Sequence, residues 1–252
     1  MTQRVLVLGA TSAIAAEVAK LYRRRGARLY LVGRSAAKLE ALVGELSRDA
    51  GPGDAVGSRC ADFAELERCG DVIEAARAAL GEIDVALLAH GDLGDQLESE
   101  RSFAAAESTL RVNFMSVVSL LVPLANVLEA QGFGTVGVIT SVAGDRGRPR
   151  NYTYGAAKGA LNVFLQGLRS RLWRSGVKVV TVKLGPVDTP MTRDHRKNVL
   201  FGQPGAIARS IVHALDHRRG EVYVPAFWAL IMPIVKHTPE RLFQLLPFLS
   251  GR

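Results

Sequence analysis

Tyr154 and Lys158 stand four residues apart in a stretch with helical periodicity, so on a helix their side chains share one face. Ser141 closes an apolar run thirteen residues before Tyr154. A phenol with a reference pKa of about 10 is a poor proton shuttle at neutral pH, and an adjacent ammonium lowers it. A Tyr–x–x–x–Lys pair can therefore act as a general acid that protonates an oxygen while hydride arrives at the neighbouring carbon. Ser141 would hold that carbonyl oxygen. A tyrosine and a lysine one turn apart are usually just two surface residues. The serine at this spacing is what makes the pattern chemical.

A second group lies at the other end of the chain. Gly9-Ala10-Thr11-Ser12-Ala13-Ile14-Ala15 separates an apolar run from a helical pattern. Gly9 permits a tight turn, while Thr11 and Ser12 offer hydroxyls and the first helical N–H groups to a pyrophosphate. Only one of the usual three glycines is present, so this turn alone is a weak signal. The next apolar run ends Val32-Gly33-Arg34-Ser35, without the acid that commonly holds a ribose 2′-hydroxyl. Arg34 suits a 2′-phosphate instead, which favours NADP(H) over NAD(H).

These groups need a frame that carries them to one crevice. Apolar runs at Val5–Leu8, Leu29–Val32, Val56–Cys60, Val85–Ala89, Val136–Thr140, Val177–Leu184 and Glu221–Val224 alternate with amphipathic stretches. The stretches span about 12–25, 35–48, 63–80, 96–131, 152–175 and 205–218. Runs that are continuous rather than alternating mark strands buried on both faces, and helical crossovers make them parallel. The expectation is an α/β protein: a single-domain, doubly wound Rossmann fold with a seven-stranded parallel sheet. Residues 1–224 form the nucleotide-binding catalytic domain, and 225–252 a hydrophobic C-terminal extension. Ligands of such sheets bind beyond the carboxyl ends of the strands.

Composition agrees with one folded unit. The 252 residues are 48% hydrophobic and 22% charged, with a net charge of +8. Residues 1–126 carry 14 basic and 17 acidic side chains, net −3, whereas 127–252 carry 18 and 7, net +11. Scattered basic residues without a recognition motif argue against nucleic acid. Cys60 and Cys69, nine apart, read as free buried thiols in a reducing compartment. The N-terminal apolar run is too short for a signal peptide. No stretch approaches the ~20 apolar residues of a spanning helix. No metal site is expected, since His213 and His217 lack a third convergent ligand.

With these motifs in place, the chain resembles the short-chain dehydrogenase/reductases over essentially its whole length. The resemblance rests on the Gly9–Ile14 turn, Asp62, Gly91, Asn113, Ser141, Tyr154-Gly155-Ala156-Ala157-Lys158 and Gly185-Pro186-Val187-Asp188-Thr189. It implies that Tyr154 is the acid/base and that Lys158 grips the nicotinamide ribose. It makes Ser141 the substrate-positioning group and has Asn113 hold a water in a proton relay. Asp62 and Phe63 would flank adenine, while Pro186, Val187 and Thr189 would contact the carboxamide. Ala89-His90-Gly91 stands where the family commonly has Asn-Ala-Gly, and Ala13 and Ala15 replace glycines. Those departures leave open a second class of function, a non-catalytic dinucleotide-binding sensor.

A narrower likeness, to mycobacterial decaprenylphosphoryl-2-keto-ribose reductases, rests on Leu93-Gly94-Asp95, Gln131-Gly132-Phe133-Gly134, Ala143-Gly144-Asp145-Arg146 and the pattern from Pro225 to Phe248. It implies reduction of a keto-sugar on a polyprenyl phosphate; lipophilic ketones or 3-oxoacyl groups are the alternative. Val222–Val235 is uncharged, and Leu242–Leu249 is largely apolar. This tail is too short to span a bilayer. It can pack on its own sheet, on a second subunit in a homodimer or homotetramer, or peripherally on a membrane from the cytoplasmic side. Arg146, Arg148 and Arg150, between Ser141 and Tyr154, suit an anionic substrate group or a phospholipid surface, or form a solvated loop.

Overall fold

The seven apolar runs form one parallel sheet in the order β3-β2-β1-β4-β5-β6-β7. The strands are β1 (Arg4–Leu8), β2 (Arg28–Gly33), β3 (Val56–Cys60), β4 (Val85–Leu88), β5 (Gly134–Ser141), β6 (Val177–Leu184) and β7 (Glu221–Val224). The structure is a computed structural model and describes residues 2–48, 56–193, 197–217 and 220–246. Successive residues of β1 show why the runs are continuous. Val5 and Val7 enter the core beneath α1 (Ala13–Arg24), α2 (Ala36–Ser47) and α8 (Pro204–His217). Leu6 and Leu8 enter the opposite core, under α3 (Cys69–Leu80), α6 (Ser116–Gln131) and α7 (Tyr152–Leu172). The inner strands β2, β1, β4, β5 and β6 are covered on both faces, so neither face of them can be polar, whereas the edge strands β3 and β7 are partly exposed.

Two helical stretches differ from the sequence expectation. The one expected at 63–80 becomes α-helical only at Cys69, after a 3-10 turn at Leu66–Arg68. Asp62 explains the delay: its Oδ1 accepts the Ala64 N–H at 2.9 Å and holds the chain in a turn. The 96–131 region divides into α4 (Gln96–Arg101), α5 (Phe103–Leu110), a π-helical turn at Arg111–Met115, and α6. Asp95 and Ser102 each cap the helix that follows them, and the extended backbone of Ser102 ends α4.

Contrary to expectation, the run Phe103–Gln131 is long and apolar enough to cross a membrane by length and composition. Its residues Leu120, Leu121, Leu124 and Leu128 are buried in the core that covers the sheet. It is a core helix of this domain.

The tail folds back on its own domain as α9 (Trp228–His237) and α10 (Glu240–Leu245). Trp228, Met232, Val235 and Phe243 form a small third core with Val142, the residue after Ser141. Leu230, Ile234 and Leu245 remain 77%, 67% and 76% exposed on the other side. Pro247, Phe248 and Leu249 of the expected apolar tail lie outside the described residues.

Candidate active site

Strands β1 and β4 are neighbours whose connections leave in opposite directions across the sheet, so a crevice opens between their carboxyl ends. Gly9 sits there with φ +82°, and a Cβ at that position would lie 2.6 Å from the His90 backbone nitrogen. Only glycine fits. Ser12 caps α1, its Oγ accepting the Ala15 N–H at 3.2 Å. The Ala13 and Ile14 N–H groups remain at the open end of the helix, where an anion is favoured. Thr11 lies over Gly33 at the end of β2, and Ile14 is buried. Ala15 is fully buried as well, so its methyl faces the core rather than a ligand.

The exposed Arg34 side chain borders a cavity of about 280 Å³, lined also by Arg59, Cys60, Asp62, Arg68 and Cys69. Arg59 donates to the Asp71 carbonyl at 2.9 Å, and Arg68 pairs with Glu65 at 2.8 Å. Sequence reasoning missed both. The signal for Arg59 was its register: it pairs with Val32, two residues before Arg34, across a parallel ladder. Both cysteines are free thiols, Cys60 exposed and Cys69 buried.

At the chemical end, two glycines let the Ser141 turn lie directly on α7. A Cβ on Gly144 would meet the Lys158 carbonyl carbon at 2.6 Å, and one on Gly155 would meet the Ala143 oxygen at 2.8 Å. That contact brings Ser141, Tyr154 and Lys158 together. Ser141 Oγ accepts the Ala143 N–H at 3.1 Å and donates to the Leu184 carbonyl at 3.4 Å. Lys158 is buried; its Nζ lies 5.7 Å from the Tyr154 ring centroid and donates to the Ile139 carbonyl at 3.4 Å.

The electrostatics here differ from the expectation. Burial pushes the Tyr154 phenol up to about 12, opposed by the Ser141 hydrogen bond. Burial also pushes Lys158 down to about 8. Desolvation outweighs the Ser141 hydrogen bond, so Tyr154 is a protonated donor at neutral pH.

Asn113 is fully buried in the π-helical turn. Its Nδ2 donates to the Asp92 and Thr109 carbonyls at 2.6 and 2.9 Å, and its Oδ1 accepts the Asp92 N–H at 3.1 Å. Both amide protons are therefore spent on holding the turn after β4. A Cβ on Gly91 would meet Asn113 Oδ1 at 2.8 Å and Lys158 Nζ at 3.3 Å, which fixes glycine there.

Ala89 continues the sheet, its N–H donating to the Leu8 carbonyl at 2.8 Å. His90 turns away from the strand end to pack on Phe63, ring centroids 4.6 Å apart. Ser116 gives its hydroxyl proton to the Val112 carbonyl at 2.6 Å, so His90 Nε2, 2.8 Å away, is the donor to Ser116 Oγ. Burial, with the Lys158 charge second, drives His90 down to about 3. The imidazole is neutral. Phe63 has its side chain in the core, which leaves its backbone to meet a base.

Beyond β6, Pro186 and Val187 are tied to Gly202. The Gly202 N–H donates to the Pro186 carbonyl at 3.0 Å, and Val187 bridges Gly202. Thr189 and Thr192 form a reciprocal capping pair. The three loop arginines separate. Arg146 donates to the carbonyls of Val235, Lys236 and Thr238, pairs with Glu240 at 2.7 Å, and stacks 4.1 Å over Phe243. It caps the carboxyl end of α9 and cannot serve an anion, which corrects the expectation for that residue. Arg150 is exposed, and Arg148 is half-buried.

The comparisons with known proteins agree with this geometry. A family model described as short chain dehydrogenase matches residues 3–200. An uncharacterized oxidoreductase of Streptomyces coelicolor is 34% identical, covering 96% of this chain and 95% of its own length. One from Mycobacterium tuberculosis is 34% identical, covering 90% and 89%. Levodione reductase superposes with a TM-score of 0.81 at 23% identity, covering 90% of this chain and 98% of its own. A Burkholderia cenocepacia short chain dehydrogenase in complex with NADP gives 0.81 at 20% identity, with 97% of each chain covered. At such identities the structural likeness speaks for the fold.

Proposed function

The chain belongs to the short-chain dehydrogenase/reductase family, and from that premise we propose that this oxidoreductase is an NADPH-dependent reductase of ketones to secondary alcohols. The observation that carries the reading is the convergence of Ser141, the half-buried Tyr154 and the buried Lys158 where two glycines let the Ser141 turn rest on α7. The bound dinucleotide would supply a hydride to the carbonyl carbon. Ser141 and Tyr154 hold the carbonyl oxygen, and Tyr154 gives that oxygen its proton as negative charge develops there. A phenol pushed up to about 12 is protonated at neutral pH and so carries the proton to be given. Lys158 holds the nicotinamide ribose and supplies positive charge beside the developing alkoxide. Asn113 fixes the Gly91–Asp92 turn beside Lys158, which would border that ribose.

The residues present fit a dinucleotide. Gly9 lets the turn after β1 lie against His90, Gly91 lets the turn after β4 lie against Asn113 and Lys158, and α1 opens its N-terminal N–H groups to the crevice between those turns. Thr11, Ser12 and Ile14 shape the pyrophosphate turn; Asp62, the Phe63 backbone, Ala89 and His90 border the adenosine; Pro186, Val187 and Thr189 border the carboxamide. Arg34, with Arg59 and Arg68 around the same cavity, supports a 2′-phosphate and so NADP(H).

For the substrate we infer a keto-sugar on a polyprenyl phosphate, ahead of other lipophilic ketones or 3-oxoacyl groups. The apolar surface left by Leu230, Ile234 and Leu245 supports a lipid tail and peripheral membrane contact. Exposed Met115, Val122, Tyr152 and Val163 on α6, α7 and the preceding turn support a homodimer or homotetramer. The decisive experiment is Tyr154→Phe. NADPH oxidation falls at least 10²-fold with NADPH affinity within about threefold. Retention of most turnover across a ketone panel would overturn the mechanism and favour a binding-only sensor.

A further inference from the structure

Among the described residues, Arg148 is a cation without a paired carboxylate. Its Nε is buried and has no hydrogen-bond partner, and its Nη2 reaches only the Met232 sulfur at 3.9 Å. The nearest carboxylate by charge is Asp145, already taken at 2.7 Å by Lys183 and at 2.6 Å by the Tyr223 hydroxyl. Arg146, two residues earlier, is consumed by α9 and Glu240. Among the described residues, no carboxylate pairs with Arg148. A guanidinium does not neutralise itself when buried, so it remains a planar set of donors that favours an anion of matching geometry.

Its place in the fold says which anion. The Arg148 loop begins at Ser141 and ends on α7, one turn before Tyr154. Met232, on which the guanidinium rests, shares a core with Val142, the neighbour of Ser141. The cation therefore sits on the loop that joins the Ser141 turn to the start of α7 and rests on the tail; that loop follows β5, four strands along the sheet from β3, whose end lines the Arg34 cavity.

We propose that Arg148 receives an anionic group, a phosphate or carboxylate, carried by the ketone substrate itself. The assignment rests on the reductase reading above and selects, within it, charged ketones over neutral ones. Arg148→Met keeps an unbranched stem against Met232 and removes the charge.

The test compares D-ribulose 5-phosphate with D-ribulose at saturating NADPH, using the full chain. The substitution lowers kcat/KM for the phosphorylated sugar at least tenfold more than for the neutral one, with the loss in KM, and Arg148→Lys recovers part of it. Equal losses on both sugars, or none on either, overturn the proposal. If neither sugar is turned over, the reductase reading is what suffers, and a binding measurement decides this one. Calorimetry of phenyl phosphate against NADP⁺-saturated protein gives binding that Arg148→Met weakens at least tenfold; undiminished or undetectable binding overturns it. Cosedimentation with phosphatidylglycerol vesicles separates the sources. Loss there with no effect on phosphate esters overturns the substrate assignment in favour of a lipid surface.

Discussion

The two ends of the crevice treat charge in opposite ways. At the nucleotide end, Arg34 is exposed beside an open cavity, so its charge is screened by water until an anion arrives. At the chemical end, Lys158 is buried and Tyr154 half-buried, and desolvation dominates the shift of each. The same charges therefore do different work. Exposed cations select a ligand by attraction and can be lost piecemeal, whereas buried groups have their protonation states set in advance by the fold.

Removing the exposed charge is the harshest test of that contrast. Arg34→Ala lowers NADPH affinity about 10- to 100-fold, the worth of a charge-assisted pair, while leaving NADH affinity nearly level. Fluorescence titration with both nucleotides reads this directly. Equal losses for the two would place the 2′-phosphate elsewhere.

The buried end breaks through pH. Lys158 is depressed to about 8, so it is largely protonated at pH 7 and loses its charge as pH rises through 8. Tyr154 stays protonated until about 12. Reductive kcat should therefore be level below pH 7.5 and fall about tenfold per unit well above 8, from one group. A profile flat to pH 10 would mean that Lys158 is not desolvated in the working enzyme.

The smallest effect concerns the tail. Arg146→Ala removes the carbonyl contacts of α9 and the Glu240 pair, costing about 1–3 kcal/mol. A melting temperature lower by a few degrees and earlier proteolysis within 225–246 would report it. An unchanged melting curve would mean that the small core of Trp228, Met232 and Phe243 holds the tail unaided.

Much of this was legible in the sequence, for physical reasons. Strands covered on both faces have no choice but continuous hydrophobicity, so the five inner ones could be read from runs such as Val5–Leu8, while the partly exposed edge strands Val56–Cys60 and Glu221–Val224 were legible from their place in the alternation with helices. The Tyr154–Lys158 spacing and the serine before it are local patterns. What stayed hidden depends on contacts distant in the chain. Arg146 and Arg148 look alike in sequence, yet one meets the carbonyls of α9 and the other only a thioether. The direction of the Tyr154 shift depends on how deeply the phenol is buried, which spacing does not encode. Arg59 joins the Arg34 cavity only through strand register.

Asp145 and Arg146 are joined by one peptide bond and anchored in different bodies. Asp145 is bolted into the sheet by Lys183 of β6 and Tyr223 of β7. Arg146 is bolted to α9 and α10. The Ser141 turn is thus a hinge pin between sheet and tail. A force applied to the tail, by a partner, a lipid or a second subunit, is delivered four to five residues from Ser141 with little slack to absorb it.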